Sequence, residues 1–166
     1  MSTTQTLAIV FADVSGSTRL FEQRGDVEAR RLISAVISCL SEITRHHGGR
    51  VVKTIGDEVM ATFPGAAEGV RAACEMQRRV SQDMIFARDN LGIRIGMHVG
   101  EVLLEEGDVF GDAVNIAARM ASLAKRDQIV TTAATFHGVT QVGEMRSRRL
   151  GRARVSGKLL PIDIVD

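Results

Sequence analysis

Residues Leu7-Ala-Ile-Val-Phe-Ala12 form an unbroken apolar run that ends on Asp13. A short run of this kind, bounded by turn residues, reads as a buried β-strand. The polar segment Val14-Ser-Gly-Ser-Thr18 that follows reads as a turn opening a helix. A longer helix is predicted over Asp26 to His46, because Leu32, Ile33, Val36, Ile37, Leu40 and Ile43 recur at helical spacing. Asp26 is its expected N-cap, and Gly48-Gly49 its stop. Arg50 to Ile55 and Glu58 to Phe63 are β-rich runs flanking Gly56-Asp57, which predicts a hairpin. Pro64-Gly65 closes it.

A helix is expected from about Ala66 to Met84, with Val70, Ala73, Cys74, Met76 and Val80 inward. Gly92 to Val99 reads as a strand and Glu101 to Leu104 as a short return strand, with Glu105-Glu-Gly107 a tight connection. A helix over Asp112 to Ala124, a strand over Ile129 to Thr131 and a short helix over Thr132 to His137 come next. Glu144 to Asp166 is expected to form a closing hairpin. The order contains β-α-β-β-α-β, the ferredoxin-like split unit. The expected class is α+β, with helices on one face of a mostly antiparallel sheet and a C-terminal strand and helix appendage.

With 166 residues, 45% of them hydrophobic, the chain is expected to form a single domain over residues 1–166. A net charge of +1 from 21 basic and 20 acidic side chains excludes a strongly basic nucleic-acid binder. Six Phe with no Trp or Tyr argue against base-stacking recognition. No apolar run approaches the ~20 residues of a membrane helix, and Met1–Thr6 lacks a basic leader segment. Cys39 and Cys74 make no disulfide framework, so a cytoplasmic location is expected.

Several residues have chemistry to offer. Asp13 sits where a buried strand ends, a common place for a metal carboxylate. Ser15-Gly16-Ser17-Thr18 places backbone N–H groups at a helix N-terminus, where the dipole favours phosphate oxygens. It lacks the Gly-Lys-Ser/Thr ending of a Walker A loop. Asp57 lies in the hairpin turn, and in a split unit the two hairpin strands are expected to lie centrally beside the first strand, which would bring Asp57 near Asp13. Two carboxylates with phosphate oxygens suit Mg²⁺. Asn115 and Arg119, four apart, share a helix face, with Val114, Ala117, Ala118 and Ala121 expected on another. Lys53 interrupts an apolar strand, and Asp108 precedes a turn. Taken singly, each also fits an ordinary role: a capping turn, a turn acid, a solvated helix face, a lysine on an open strand face. The arginines at 146, 148, 149, 152 and 154 are expected to protect a strand edge. His46-His47 read as helix-end histidines, and His98 has no partner at ligand spacing.

Four segments, in order, resemble the class III nucleotidyl cyclase catalytic domain: Phe11-Ala-Asp-Val-Ser-Gly-Ser-Thr18, Lys53-Thr-Ile-Gly-Asp-Glu-Val-Met60, Ile95-Gly-Met-His-Val-Gly100 and Asp108-Val-Phe-Gly-Asp-Ala-Val-Asn-Ile-Ala-Ala-Arg-Met120. The resemblance covers about Thr6 to Val139. It implies that Asp13, with Val14 beside it, and Asp57 hold two Mg²⁺ (or Mn²⁺). It implies that Lys53 and Asp108 recognise adenine, Asn115 orients the ribose, and Arg119 stabilises the transition state. Ser15 to Thr18 are implied at the phosphates, and Lys158 matches loosely a lysine on the terminal phosphates. Guanylate-specific members usually carry Glu for the lysine and Cys or Ser for the aspartate, so ATP is the implied substrate. The implied product is cyclic AMP, made at sites shared across a homodimer. A catalytically silent nucleotide- or partner-binding module is the alternative, and a guanylate cyclase a third reading. Asp57-Glu58 is similar to the Gly-Gly-Asp-Glu-Phe signature of diguanylate cyclases, but Ile55 and Val59 break it. The seven residues between Gly100 and Asp108 are few for the dimerisation arm of the family. The ending at Asp166 leaves room for a regulatory domain in a longer protein.

Overall fold

The computed structural model describes residues 2–139, 145–155 and 157–165. Its elements are β1 (Thr3–Ser15), α1 (Ser17–Arg24), α2 (Asp26–His46), β2 (Arg50–Ile55), β3 (Glu58–Phe63), α3 (Ala66–Gln82), α4 (Met84–Arg88), β4 (Gly92–Glu105), β5 (Asp108–Phe110), α5 (Asp112–Leu123), β6 (Ile129–Thr132), α6 (Ala133–His137), β7 (Ser147–Val155) and β8 (Lys158–Val165). The strands form one sheet in the order β2-β3-β1-β4-β6-β8-β7, with β5 folded back on β4. Only the β4–β6 pair is parallel among the described strands. This is the expected α+β class, and its first four strands have the ferredoxin-like order. Glu144, Ser156 and Asp166 of the expected tail hairpin lie outside the described residues.

β1 is the spine. Its unbroken apolar run has a structural reason, because both of its faces are covered. Ala8, Val10, Ala12 and Val14 pack against Leu32, Val36, Leu40 and Ile43 of α2 and Val70, Ala73, Met76 and Val80 of α3. Leu7, Ile9 and Phe11 point the other way, against Ala113, Ala117 and Ala121 of α5. Strand alternation sends neighbouring side chains to opposite faces, so a strand buried on both sides shows no polar phase. Helices therefore lie on both faces of the sheet, not on one as expected. Fully buried Leu40 and Ile43 each contribute about 1.5–3 kcal/mol.

Six local expectations are corrected. The first strand runs Thr3–Ser15 and pairs with β4 along its whole length, from Thr3↔Leu104 to Ser15↔Gly92. That pairing holds Gly100 inside a strand, opposite Leu7, so the expected pair Gly92–Val99 and Glu101–Leu104 is one strand. The return strand is β5, reached through Glu106 and Gly107 at φ 49 and 80, the left-handed pair that a two-residue hairpin turn needs. Gly25, not Asp26, is the N-cap of α2, and Asp26 supplies negative charge in the first turn. The helix expected to reach Met84 stops at Gln82, because the Asp83 carboxylate accepts hydrogen bonds from the N–H groups of Ile85 and Phe86 and starts α4. β2 lies at the sheet edge; β3 alone sits beside β1. On α5, Ala118 is exposed, and the buried stripe is Ala113, Ile116, Ala117, Met120 and Ala121.

The far edge of the sheet is β7, which carries Arg148, Arg149, Arg152 and Arg154 as expected of a protected edge. Cys39 and Cys74 are free and half-buried. His47 caps α2 and bonds Glu75 of α3.

Candidate active site

Asp13 and Asp57 meet at one end of the sheet. Pairing fixes this arrangement: Asp13 lies opposite Glu58 on β3 and opposite Arg94 on β4, and the Val14 N–H donates to the Asp57 carbonyl at 3.2 Å. Glu58, Asp13 and Arg94 thus form a row across three strands. Arg94 grips one oxygen of Asp13 twice, with Nη2 at 2.8 Å and Nε at 3.0 Å. Burial nevertheless pushes the Asp13 carboxyl above its usual range, outweighing Arg94, and the negative charge of Asp57 adds to the rise. Glu58 is raised as well, by burial first and then by the charge of Asp13.

The helix after this strand starts at Gly16, held at φ 94, a left-handed conformation that glycine adopts without penalty. A side chain there would meet the Asn90 carbonyl at 3.0 Å. Ser15 ends β1 opposite Gly92, and no side chain caps α1, so the N–H groups of Ser17 and Thr18 in its first turn lack a side-chain cap at the positive end of the helix dipole.

A second cluster forms on the α5 face. Lys53 Nζ lies 3.0 Å from Asp108 Oδ2, joining the edge strand β2 to β5. The other oxygen of Asp108 accepts from the Val109 N–H at 2.7 Å. The Lys53 hydrogen bond, helped by that N–H, holds the Asp108 carboxyl below its ordinary range. Lys53 sits beside a register shift of β2, which turns it out of the regular strand alternation. Asn115 and Arg119 are exposed on the outer side of α5, and Arg119 Nη1 reaches Ser122 Oγ at 3.4 Å.

The resemblance implies a site shared between two copies, with the aspartates from one and Lys53, Asp108, Asn115 and Arg119 from the other, and within one chain these two sets stand apart. Among the described residues no hydrogen bond or ion pair joins Asp13 or Asp57 to Lys53, Asp108, Asn115 or Arg119. Lys158 begins β8, exposed. Val165 at the other end of β8 pairs with Ile129, which pairs with Ile95 near the Asp13 end. Seven strand residues separate Lys158 from that end, about 23 Å.

Arg94 and Glu58 were missed by the sequence reading. Arg94 carries the same signal as Lys53, a lone cation inside an apolar strand, Ile93-Arg-Ile95. Only the β1–β4 register reveals that it faces Asp13.

Among the described residues no three His, Cys, Asp or Glu side chains stand together as a metal cage. Asp13 and Asp57 still fit Mg²⁺ or Mn²⁺. Two crowded carboxylates with excess negative charge suit an ion that keeps waters and takes its remaining ligands from substrate phosphates.

The adenylate and guanylate cyclase catalytic domain family model matches residues 1–163. The chain belongs to that family. This cyclase domain is 34% identical over 128 residues to an adenylate cyclase of Streptomyces coelicolor, covering 77% of this chain and 32% of the relative. It is 30% identical over 134 residues to an adenylate cyclase of Streptomyces griseus, covering 81% and 33%. The domain therefore spans about a third of the length of these curated relatives. Among solved structures it superimposes on the adenylyl cyclase CyaB from P. aeruginosa with a TM-score of 0.87 at 21% identity, covering 100% of this chain and 96% of that one. An adenylate/guanylate cyclase/hydrolase from Silicibacter pomeroyi superimposes with a TM-score of 0.85 at 29% identity, covering 99% and 97%. No described helix of this cyclase domain is long and apolar enough to cross a membrane.

Proposed function

We propose that residues 1–166 form one catalytic domain, an adenylate cyclase that converts ATP to 3′,5′-cyclic AMP and pyrophosphate in the cytoplasm. The observation that carries the choice of base is the Lys53–Asp108 pair at 3.0 Å. A lysine donor and a carboxylate acceptor side by side match the ring nitrogen and amino group of adenine. Guanine offers a carbonyl where adenine offers the amino group, and a carboxylate repels it.

The remaining residues divide the work. Asp13, the Val14 carbonyl and Asp57 hold two Mg²⁺ or Mn²⁺ ions. When bound, these ions lower the pKa of the ribose 3′-hydroxyl and neutralise the leaving pyrophosphate. The N–H groups at Ser15, Gly16, Ser17 and Thr18 take phosphate oxygens. Arg94, paired with Asp13 at the same end of the sheet, has a planar fork of donors that suits the same phosphates. Asn115 orients the ribose and Arg119 meets charge developing on the α-phosphoryl group; Lys158, about 23 Å from the Asp13 end of its own chain, is assigned to the terminal phosphates held by the second copy.

Two unconnected clusters in one chain support a homodimer, with the carboxylate end of one copy facing the Lys53–Asp108 end of the other. The test is cyclic AMP production from ATP with Mn²⁺ or Mg²⁺ across a range of protein concentrations. Specific activity is expected to rise with concentration, and Arg119→Ala to lower kcat by about 10²–10³-fold with a smaller change in KM. Nucleotide binding with no product at any concentration would instead mark a silent module.

A further inference from the structure

Helix α5, which carries Asn115 and Arg119, rests on a strip of β4 that is almost bare. Gly96, His98 and Gly100 alternate on the face of β4 beneath it. A β-carbon at Gly96 would fall 1.8 Å from the Ala121 nitrogen, and one at Gly100 2.7 Å from the Ala113 β-carbon. Backbone and helix are in direct contact at both ends of the strip. Between them stands His98, a large polar ring under a helix of alanines.

The ring is anchored on one side. His98 Nδ1 lies 2.8 Å from Thr132 Oγ1. That hydroxyl donates to Thr135 Oγ1 at 2.9 Å, which also accepts from the Val99 N–H at 2.9 Å. Both threonines are buried. Thr135 Oγ1 also lies 3.5 Å from His98 Nδ1, so both hydroxyls hold this edge of the ring. Nε2 lies 3.4 Å from the β-carbon position of Gly100, on the side where α5 begins and where Asp112 is its charged neighbour. Burial pushes the ring's pKa below the ordinary value, against the pull of Asp112. α5 has no side-chain cap of its own at Gly111.

We infer that His98 is a positioning residue: wedged between the Thr132–Thr135 pair and the first turn of α5, it sets where Asn115 and Arg119 stand without touching substrate. The inference rests on the shared-site reading above. His98→Leu removes both ring contacts; His98→Asn keeps a hydrogen-bonding group at the Nδ1 position. Leucine at 98 is expected to lower kcat by about 10²-fold, the scale of a ~1 Å misplacement, with little change in KM, and asparagine to recover most of it. Mixing chains locates the defect. A His98→Leu chain should regain activity with an Asp13→Asn chain but not with an Arg119→Ala chain. Recovery with Arg119→Ala, or with neither, overturns the inference, as does full activity of His98→Leu. The Asp13→Asn and Arg119→Ala pair is the control. If that pair fails to recover while heterodimers form, the shared-site reading fails instead. Hydrogen exchange then decides for His98: amides of Ala113 to Arg119 should exchange faster in His98→Leu, with those of Ala8 to Ala12 unchanged. Equal protection of α5 overturns it.

Discussion

The two ends of this domain treat their acids in opposite ways. At the β1 end, Asp13, Asp57 and Glu58 crowd one another, and burial raises Asp13 and Glu58 although Arg94 helps Asp13. At the β5 end, Asp108 has a single lysine and a backbone N–H, and its pKa falls. The first end is unfinished electrostatically, whereas the second is complete in the free chain. Like-charged carboxylates held together cost stability unless a cation arrives, so the crowding marks where a bound cation would relieve the most strain. A finished ion pair marks a surface that is preorganised for shape and hydrogen bonding.

The largest expected effect breaks the unfinished end. Asp57→Asn should reduce turnover by at least about 10²-fold through weakened metal binding. The same change removes one of the crowded charges, so the metal-free chain should melt higher, by roughly 2–4 °C for each kcal/mol relieved. Activity assays and metal-free thermal melts check both halves. A lower melting temperature would show that Asp57 is not in conflict with Asp13.

Exchanging Lys53 for Glu and Asp108 for Cys together breaks the finished end. The double variant should move the preference from ATP towards GTP without restoring full turnover, as read by product formation with each nucleotide. Unchanged ATP preference would remove the pair from base recognition.

Acid titration sharpens the contrast. Glu58 has a folded pKa above its ordinary value of 4.5, so its contribution to stability is full below that value and is lost as pH rises through the folded pKa. Glu58→Gln should therefore match the wild-type melting temperature in acid and gain on it towards neutral pH. Asp108 is depressed below its ordinary 3.8, so its contribution is present above that value and is lost as pH falls through the folded pKa. Asp108→Asn should lose melting temperature at neutral pH and converge on wild type in acid. Parallel curves for the two variants would erase the distinction between the ends. The smallest effect belongs to Lys53→Ala. Its pair is largely solvated, and such pairs contribute little to stability, so melting should barely move while nucleotide affinity falls.

Much of this domain was legible before folding. Helical spacing in α2 and the Gly56-Asp57 turn gave those elements to within a residue, because each depends on neighbours in sequence. Asp13, Asp57, Lys53, Asp108, Asn115 and Arg119 were singled out as candidates through motif order. What escaped depends on partners far along the chain. β4 was divided at Gly100 because a glycine looks like a break when its opposite, Leu7, is ninety-three positions away. Arg94 passed unnoticed because its partner is found 81 residues earlier. His98 had no motif because its role comes from Thr132 beside it and α5 above it.

The sequence by itself determined the order of strands and helices, the apolar spine and the set of polar side chains available for chemistry. These follow from periodicity, turn propensity and residue type, all of which are local. Only the tertiary structure decided that helices cover both faces, that Arg94 pairs with Asp13, and that Lys53 meets Asp108 while standing apart from Asp13. Strand register and the close approach of α5 to Gly96 set those outcomes. Both arise from packing between distant segments, where burial and charge act through space and not along the chain.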